Sequence, residues 1–490
     1  MVTATAQSTE TFPTRLVIGG ERVAGSSGRT FNVVNPATED VVAAVAEGDV
    51  EDMDRAVASA RATFESDKWK SMSARQRGES LYKLGNLMLE HRDELARLET
   101  LNNGKPLFES HIDVKLAAET FKYYGGWADK VHGETIPVDG PFFNYTLREP
   151  LGVVGAIVPW NFPMSLASWK IGPALACGNT IVLKPAEQTP FTALRMAELA
   201  LEAGFPAGAF NCVSGKGSVV GMALVRHPDV DKIAFTGSTD VGKMIMREAA
   251  ATVKKVSLEL GGKSPNIVFA DADLDAAARG ALTGIFYGKG EVCAAGSRLL
   301  VERGVREELQ SKILERAKKM VAGDPMNPKT RLGAIASKKQ METVLGYIES
   351  GKKEGAELLS GGERTPVNGK GYFVSPTIFG GVTREMTIAR EEIFGPVLAM
   401  MEFEGGIEAA AELANSTIYG LAAGIWTRDL KKALRTAKAI RAGTVWINTY
   451  NMYDAASPFG GYKQSGFGRE LGPYAIDGYT QIKSVWVDLS

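Results

Sequence analysis

The chain is poor in cysteine and histidine, and it lacks a charge field of either sign. Its only cysteines are Cys177, Cys212 and Cys293. Three scattered cysteines in so long a chain do not make a disulfide framework and fit a reducing compartment, which points to the cytoplasm. The histidines are His91, His111, His132 and His227. They have no metal-ligand spacing with one another or with the cysteines, which argues against a metal site. The formal net charge is −1, so the basic field expected of a nucleic-acid binder is missing. The longest apolar run, near residues 151–160, holds about ten residues, against the ~20 that a membrane helix needs. Residues 1–14 are polar, lack a basic start followed by an apolar run, and read as a frayed tail rather than a secretory signal. Internal repeats, coiled coils and low-complexity blocks are also lacking.

A globular balance is present instead, with 44% hydrophobic and 23% charged residues over 490 positions. That length exceeds one ordinary core and predicts two or three domains. Short strands are expected at 17–23, around Gly19-Gly20, and at 30–34. Helical spacing of apolar residues follows at 51–64, 74–90, 92–102 and 113–132. Residues 133–151 carry Pro137, Gly140 and Pro141 before an alternating stretch at 143–147, which predicts a protruding hairpin. The pattern then changes. Apolar strands at 152–158, 180–184, 210–213, 232–235 and 255–259 alternate with helices at 165–177, 191–203, 218–226 and 241–252. Such alternation predicts a parallel sheet covered on both faces, an architecture common among nucleotide binders. A second alternation runs from 266 to about 448. Its helices are 274–286, 306–320, 337–354 and 407–414, and its strands 298–301, 397–402, 422–426 and 443–447. A final strand is expected at 479–487.

Five segments suggest chemistry, and each is also compatible with a purely structural role. Phe235-Thr236-Gly237-Ser238-Thr239-Asp240-Val241-Gly242 joins a strand to a helix. A glycine turn lets backbone approach a phosphate there, and the helix start favours negative charge. A lone Gly-x-x-x-x-Gly is more often just a tight turn. Lys184-Pro185-Ala186-Glu187 ends a strand, where ligands of α/β sheets bind. An acid there hydrogen-bonds a ribose diol and repels a 2′-phosphate, although an ordinary surface ion pair accounts for it equally. Pro159-Trp160-Asn161-Phe162-Pro163 offers a side-chain amide to an oxyanion, or is an aromatic-packed turn. Glu259-Leu260-Gly261-Gly262-Lys263 sets a carboxylate before a double glycine. Gly290-Glu291-Val292-Cys293-Ala294-Ala295-Gly296 sets a cysteine among small, irregular flanks. By default a cysteine is a small buried hydrophobe, as Cys177 and Cys212 are expected to be.

Together, and in this order, the segments resemble the aldehyde dehydrogenase superfamily over about residues 17–487. Glu391-Glu392-Ile393-Phe394-Gly395-Pro396-Val397 and Pro458-Phe459-Gly460-Gly461-Tyr462-Lys463-Gln464-Ser465-Gly466 match further family motifs. The resemblance implies an enzyme of the hydrolytic type that oxidises an aldehyde to a carboxylic acid with NAD. It implies Cys293 as nucleophile, Asn161 and the Cys293 N–H as oxyanion donors, Glu259 as the base that activates water, and Lys170 and Glu470 as a proton relay. A structural ion pair accounts for the last two as well. The implied cofactor positions are Ile157, Pro159, Trp160, Lys184, Glu187, Gly217, Gly237, Ser238, Thr239, Val241, Gly242, Leu260, Glu392 and Phe394. Glu187 favours NAD over NADP. Phe162, Trp169, Tyr287, Tyr453 and Phe459 match positions that line the family's substrate tunnel. An aromatic lining suits apolar or aromatic aldehydes, or a quaternary ammonium held by cation–π contact. No arginine stands there to take a second carboxylate.

The implied fold is α/β, with a Rossmann-like NAD-binding domain at 1–132 and 150–260 and a second α/β catalytic domain at 261–465. A small β oligomerisation element comprises 133–149 and 466–490, and the implied assembly is a homodimer or homotetramer. One departure stands out: family members often carry Asn-Gln-Gly-Gln before the cysteine, where this chain has Gly288-Lys289-Gly290-Glu291. Three alternatives remain open: a CoA-acylating dehydrogenase, a non-catalytic protein on the same fold, and a plain thiol hydrolase or esterase, which would not explain Glu187, Ser238 and Glu392 together. Glu259 argues against the first, and the joint presence of Cys293, Glu259 and Asn161 against the second.

Overall fold

In the strand Val153–Ile157, Val153 packs into one apolar cluster and Val154 and Ala156 into another. In Thr180–Lys184, Val182 likewise faces away from Ile181 and Leu183. Side chains of a strand alternate between faces, so an unbroken apolar run means that both faces are covered. One face carries the helix Val50–Glu65 through Met53, Ala56, Val57 and Ala60. The other carries the helices Ala74–Glu90, Leu107–Trp127 and Pro163–Ala176 through residues such as Leu81, Phe121 and Ile171. The structure, a computed structural model, describes residues 12–490. Residues 1–11 of the tail expected at 1–14 lie outside the described residues.

The first sheet has eight strands. Its order is Gly466–Phe467, Lys255–Glu259, Lys232–Thr236, Val153–Ile157, Thr180–Lys184, Phe210–Cys212, Leu16–Ile18 and Glu21–Val23. The five central strands are parallel, and antiparallel pairs close both edges. From Val153–Ile157 the chain winds one way to Thr180–Lys184 and Phe210–Cys212. It then crosses back to Lys232–Thr236 and Lys255–Glu259 on the other side. The order therefore reverses between Val153–Ile157 and Lys232–Thr236, and the carboxyl ends of strands at such a point open a crevice for ligands.

Residues 260–264 lead directly from this sheet into Pro265–Val268 of a second one. That sheet runs Glu357–Ser360, Thr377–Gly380, Val397–Phe403, Arg298–Glu302, Pro265–Val268, Ala422–Trp426 and Thr444–Ile447. All its pairs are parallel except the edge pair Glu357–Ser360 with Thr377–Gly380. A third, antiparallel sheet pairs Phe142–Pro150 with both Thr135–Ile136 and Thr480–Asp488, in register from Thr480↔Pro150 to Asp488↔Phe142. The hairpin expected at 133–151 and the strand expected at 479–487 thus meet. Thr30–Val34 pairs with Val41–Ala46 in a small hairpin.

Several boundaries differ from expectation. The helix expected at 113–132 spans Leu107–Trp127, starts behind Pro106, and ends in a 3₁₀ turn at Ala128–Lys130. Glu109, Ser110 and Asp113 are buried in it, and these polar residues mask the apolar period of the first turns. The helix expected at 218–226 begins as a π turn, Gly217–Gly221, before Met222–Arg226. The helix Leu430–Ala439 and the strands Glu357–Ser360 and Thr377–Gly380 were not evident in the sequence. Among the described residues, no helix is long and apolar enough to cross a membrane.

Candidate active site

The crevice at the reversal point is built from the ends of three neighbouring strands. Pro159, Trp160 and Asn161 follow Val153–Ile157, Gly237 and Ser238 follow Lys232–Thr236, and Leu260 and Gly261 follow Lys255–Glu259. With Cys293, Glu392 and Phe394 they line a cleft of about 330 Å³. Ser238 caps the helix Thr239–Ala249, its hydroxyl accepting from the Val241 N–H at 3.4 Å. That helix start faces the cleft and suits an anionic group. The Trp160 and Phe394 rings meet edge to face at 5.3 Å. Phe394 has a left-handed backbone (φ +57°), and Gln340 Nε2 donates a hydrogen bond to its carbonyl at 2.8 Å.

A second cavity, narrow and of about 60 Å³, lies on the other side of Cys293. Phe162, Trp169, Tyr287, Tyr453 and Phe459 all line it. Phe162 stacks on Tyr287 at 6.2 Å, and Phe459 meets Trp169 at 5.4 Å and Tyr453 at 5.7 Å. Among the described residues, Cys293 alone is common to the linings of the polar cleft and the aromatic cavity. A half-buried thiol there reaches both. Cys177 and Cys212 are buried in the core.

The double glycine is explained by close approach. A Cβ at Gly262 would fall 2.2 Å from the Cys293 carbonyl oxygen, and one at Gly261 2.2 Å from Glu392 Oε2. Glu392 Oε1 accepts from the Gly262 N–H at 3.0 Å. Burial pushes its carboxyl up to about 7, against the pull of that bond. Asn161 is buried, and its Nδ2 donates to the Glu291 carbonyl at 2.8 Å. Of the two ends of the amide only the nitrogen can donate to a carbonyl, so this bond fixes which way the amide points. One amide hydrogen is anchored there, and the amide oxygen Oδ1 is buried without a hydrogen-bond partner.

Glu259 ends the strand Lys255–Glu259, next to Gly460, where a Cβ would lie 2.8 Å from Glu259 Oε1. It is buried, and neither carboxylate oxygen has a hydrogen-bond partner among the described residues. Burial raises its carboxyl well above the ordinary range, and the charge of Glu470 raises it further. Lys170 forms a buried ion pair with Glu470 and donates to Thr236 Oγ1 at 2.7 Å. Burial likewise pushes the Cys293 thiol up to about 12, with the charges of Glu392 and Glu259 adding to the effect. An acceptor for its proton is therefore part of any chemistry it performs.

Comparisons with known proteins agree with this geometry. The profile of the Aldehyde dehydrogenase family matches residues 23–485. Aldehyde dehydrogenase 1A1 of Mesocricetus auratus is 52% identical over 480 residues, covering 97% of this chain and 95% of that protein. The NAD⁺ complex of an aldehyde dehydrogenase from Bacillus cereus superposes with a TM-score of 0.96 at 52% identity, covering 97% of both chains. An indole-3-acetaldehyde dehydrogenase complexed with NAD⁺ superposes with a TM-score of 0.96 at 46% identity, covering 98% of this chain and 97% of that one. The chain belongs to the aldehyde dehydrogenase family. It is an NAD(P)-dependent oxidoreductase acting on aldehydes.

Not every residue expected from the family motifs lies in the central cleft. Lys184, Glu187 and Gly217 gather one strand further along the sheet, where Glu187 Oε1 accepts from the Gly217 N–H at 2.8 Å. Burial lowers the Lys184 ammonium to about 8, opposed by Glu187. Ile157 ends its strand, and Gly242 packs on Leu260, leaving no room for a Cβ. Thr239 is buried beside Gln464, and Val241 is exposed. Six lining residues carry no motif signal: Gln340 at the start of the helix Lys338–Lys353, Asp113 and Leu116 on Leu107–Trp127, Ser165 and Leu166 on Pro163–Ala176, and Asn451.

Proposed function

We propose that the chain oxidises an apolar or aromatic aldehyde to its carboxylic acid with NAD, on a thioester formed at Cys293. The position of Cys293 between the polar cleft and the aromatic cavity carries this reading. The cleft suits NAD: it lies at the sheet's reversal point, a capped helix start faces it, and the double glycine leaves room beside Glu392. Ser238 would hold the pyrophosphate, Lys184 and Glu187 the adenosine ribose, and Glu392, with Phe394 beside it, the nicotinamide ribose. Bound there, NAD supplies the hydride acceptor. Its preference over NADP rests on the Glu187 carboxylate and on the NAD⁺ complexes of the two related structures.

Cys293 Sγ attacks the aldehyde carbon and gives up its proton to Glu259, from which Lys170 and Glu470 carry it onward. The free Asn161 N–H and the Cys293 backbone N–H donate to the developing oxyanion, where donors already in place in a water-poor site act most strongly. Loss of hydride from that carbon leaves the acyl group on sulfur. Glu259 then takes a proton from water as the water attacks the thioester. The acid leaves, and Glu259 returns that proton to the thiolate, which restores the thiol. Glu259 suits this role because its oxygens are unpaired and burial raises its affinity for a proton.

In this reading the cofactor domain expected at 1–132 and 150–260 comprises, among the described residues, 12–132 and 150–260, the catalytic domain 261–465, and the oligomerisation element 133–149 with 466–490. The free cysteines fit a cytoplasmic setting. The test is NADH formation at 340 nm with aliphatic, aromatic and betaine aldehydes, beside the Cys293→Ala variant. The expected outcome is turnover that vanishes in the variant. Acid formed only when CoA is added would favour acyl transfer to CoA instead.

A further inference from the structure

We propose that the buried Lys289–Glu291 ion pair is a positioning device that locks the Asn161 amide to the Cys293 loop. The inference rests on the Cys293 reading above and deepens it. The two charges stand in the segment 288–291 that departs from the family's usual Asn-Gln-Gly-Gln. They are almost fully buried, which is costly unless every group is paired. The ion pair between them, together with hydrogen bonds to Asn103 and from Asn161, closes a ring.

Lys289 Nζ pairs with Glu291 Oε2 at 2.8 Å and donates to Asn103 Oδ1 at 2.6 Å and to the Asn103 carbonyl at 3.0 Å. Asn103 Nδ2 donates to the Trp160 carbonyl at 2.8 Å and to the Asn161 carbonyl at 3.3 Å. The Asn161 side chain closes the ring on the Glu291 carbonyl at 2.8 Å. A further bond, from the Ala336 N–H to Glu291 Oε1 at 3.0 Å, anchors the acid from outside.

Two more observations point the same way. Lys289 has a left-handed backbone, φ +61°, which a lysine holds only where its surroundings enforce it. The Gly288 N–H donates to the buried Glu109 at 3.3 Å, so the loop is also held ahead of Lys289. The ring thus joins the end of the helix Arg92–Asn103, the turn after the strand Val153–Ile157 and the nucleophile loop. It fixes the distance between the two oxyanion donors, one on each of the last two segments. Neither charged group touches the reacting atoms.

The test compares Lys289→Gln with the neutral double variant Lys289→Gln/Glu291→Gln, each made also in an Asn161→Ala background and assayed as full-length enzyme at saturating aldehyde and NAD. Residues that act through one another give non-additive losses. Lys289→Gln alone is expected to lower kcat on the order of tenfold, as stranding a buried charge would. It should have no further effect in the Asn161→Ala background, and the neutral double variant should regain most of the rate. Hydrogen exchange supplies a readout without turnover: in Lys289→Gln, protection should fall together at 158–162 and 288–293. Equal losses in both backgrounds, or exchange that changes in one segment only, overturn the inference and leave the Cys293 reading intact. A wild-type protein that oxidises none of the aldehydes overturns both.

Discussion

Burial raises all three thiols, Cys177 and Cys293 each to about 12 and Cys212 as well. Acidity therefore does not single out the nucleophile. Access does, because of the three only Cys293 reaches a cavity on both sides. At this scale the oxyanion donor is the sharpest probe: Asn161→Ala should lower kcat about 10²–10³-fold, read from steady-state NADH formation, because one donor is removed where charge develops. The pH profile is a second probe. Glu259 accepts a proton only when ionised, so the rate falls as pH drops through its raised affinity. The acid limb of kcat should lie above the ~4.3 of an ordinary glutamate. Glu470→Gln removes a like charge and frees the Lys170 ammonium; both changes move that limb to lower pH. Cys293, Glu259 and Asn161 were legible because each sits in a short segment with chemistry of its own. Gln340 and Leu116 were not, since an amide on a helix start and a leucine on a helix face look like thousands of others.

The central strands and the double glycine show how elements carry the site. The strands buried on both faces were legible, because an unbroken apolar run bounded by turns is what cover on both sides of a sheet demands. The edge strand Glu357–Ser360 was not, because it is half-exposed and reads as neither alternation nor a continuous run. The link from Lys255–Glu259 to Pro265–Val268 allows no side chain at Gly262. Gly262→Ala should therefore destabilise the protein by about 1–3 kcal/mol, the usual cost of overpacking, and slow NADH turnover by displacing the Cys293 backbone. Thermal melts beside rate assays would check both effects. Away from the site, Asp49 caps the helix Val50–Glu65 in a reciprocal capping box with Asp52. Asp49→Ala should cost about 1 kcal/mol in urea unfolding and leave kcat unchanged.

At the scale of the molecule, a reversal in strand order opens a cleft on one sheet, and a short link brings the second sheet's nucleophile to its edge. Alternation of strands and helices predicted both sheets, whereas no local pattern foretells that Cys293 bridges two cavities, because that contact joins segments more than a hundred residues apart. The third sheet leaves Thr480–Asp488 as an unpaired edge, with Phe142, Ile482 and Trp486 exposed. Such an edge invites pairing with another copy. We propose that this edge pairs two copies: the wild type should then sediment above the mass of one chain and Trp486→Asp should lower that mass, whereas a wild type at the mass of one chain, or an unchanged mass in the variant, would exclude this pairing. The central claim is that the acyl group is carried on Cys293 and released by water that Glu259 activates. Rapid mixing of the Glu259→Gln variant with NAD and aldehyde, followed by mass analysis of the quenched protein, tests it most directly. The account predicts a burst of about one NADH per active chain without turnover, and an acyl adduct on the Cys293 peptide. Full turnover in that variant, or an adduct on any other residue, would contradict it.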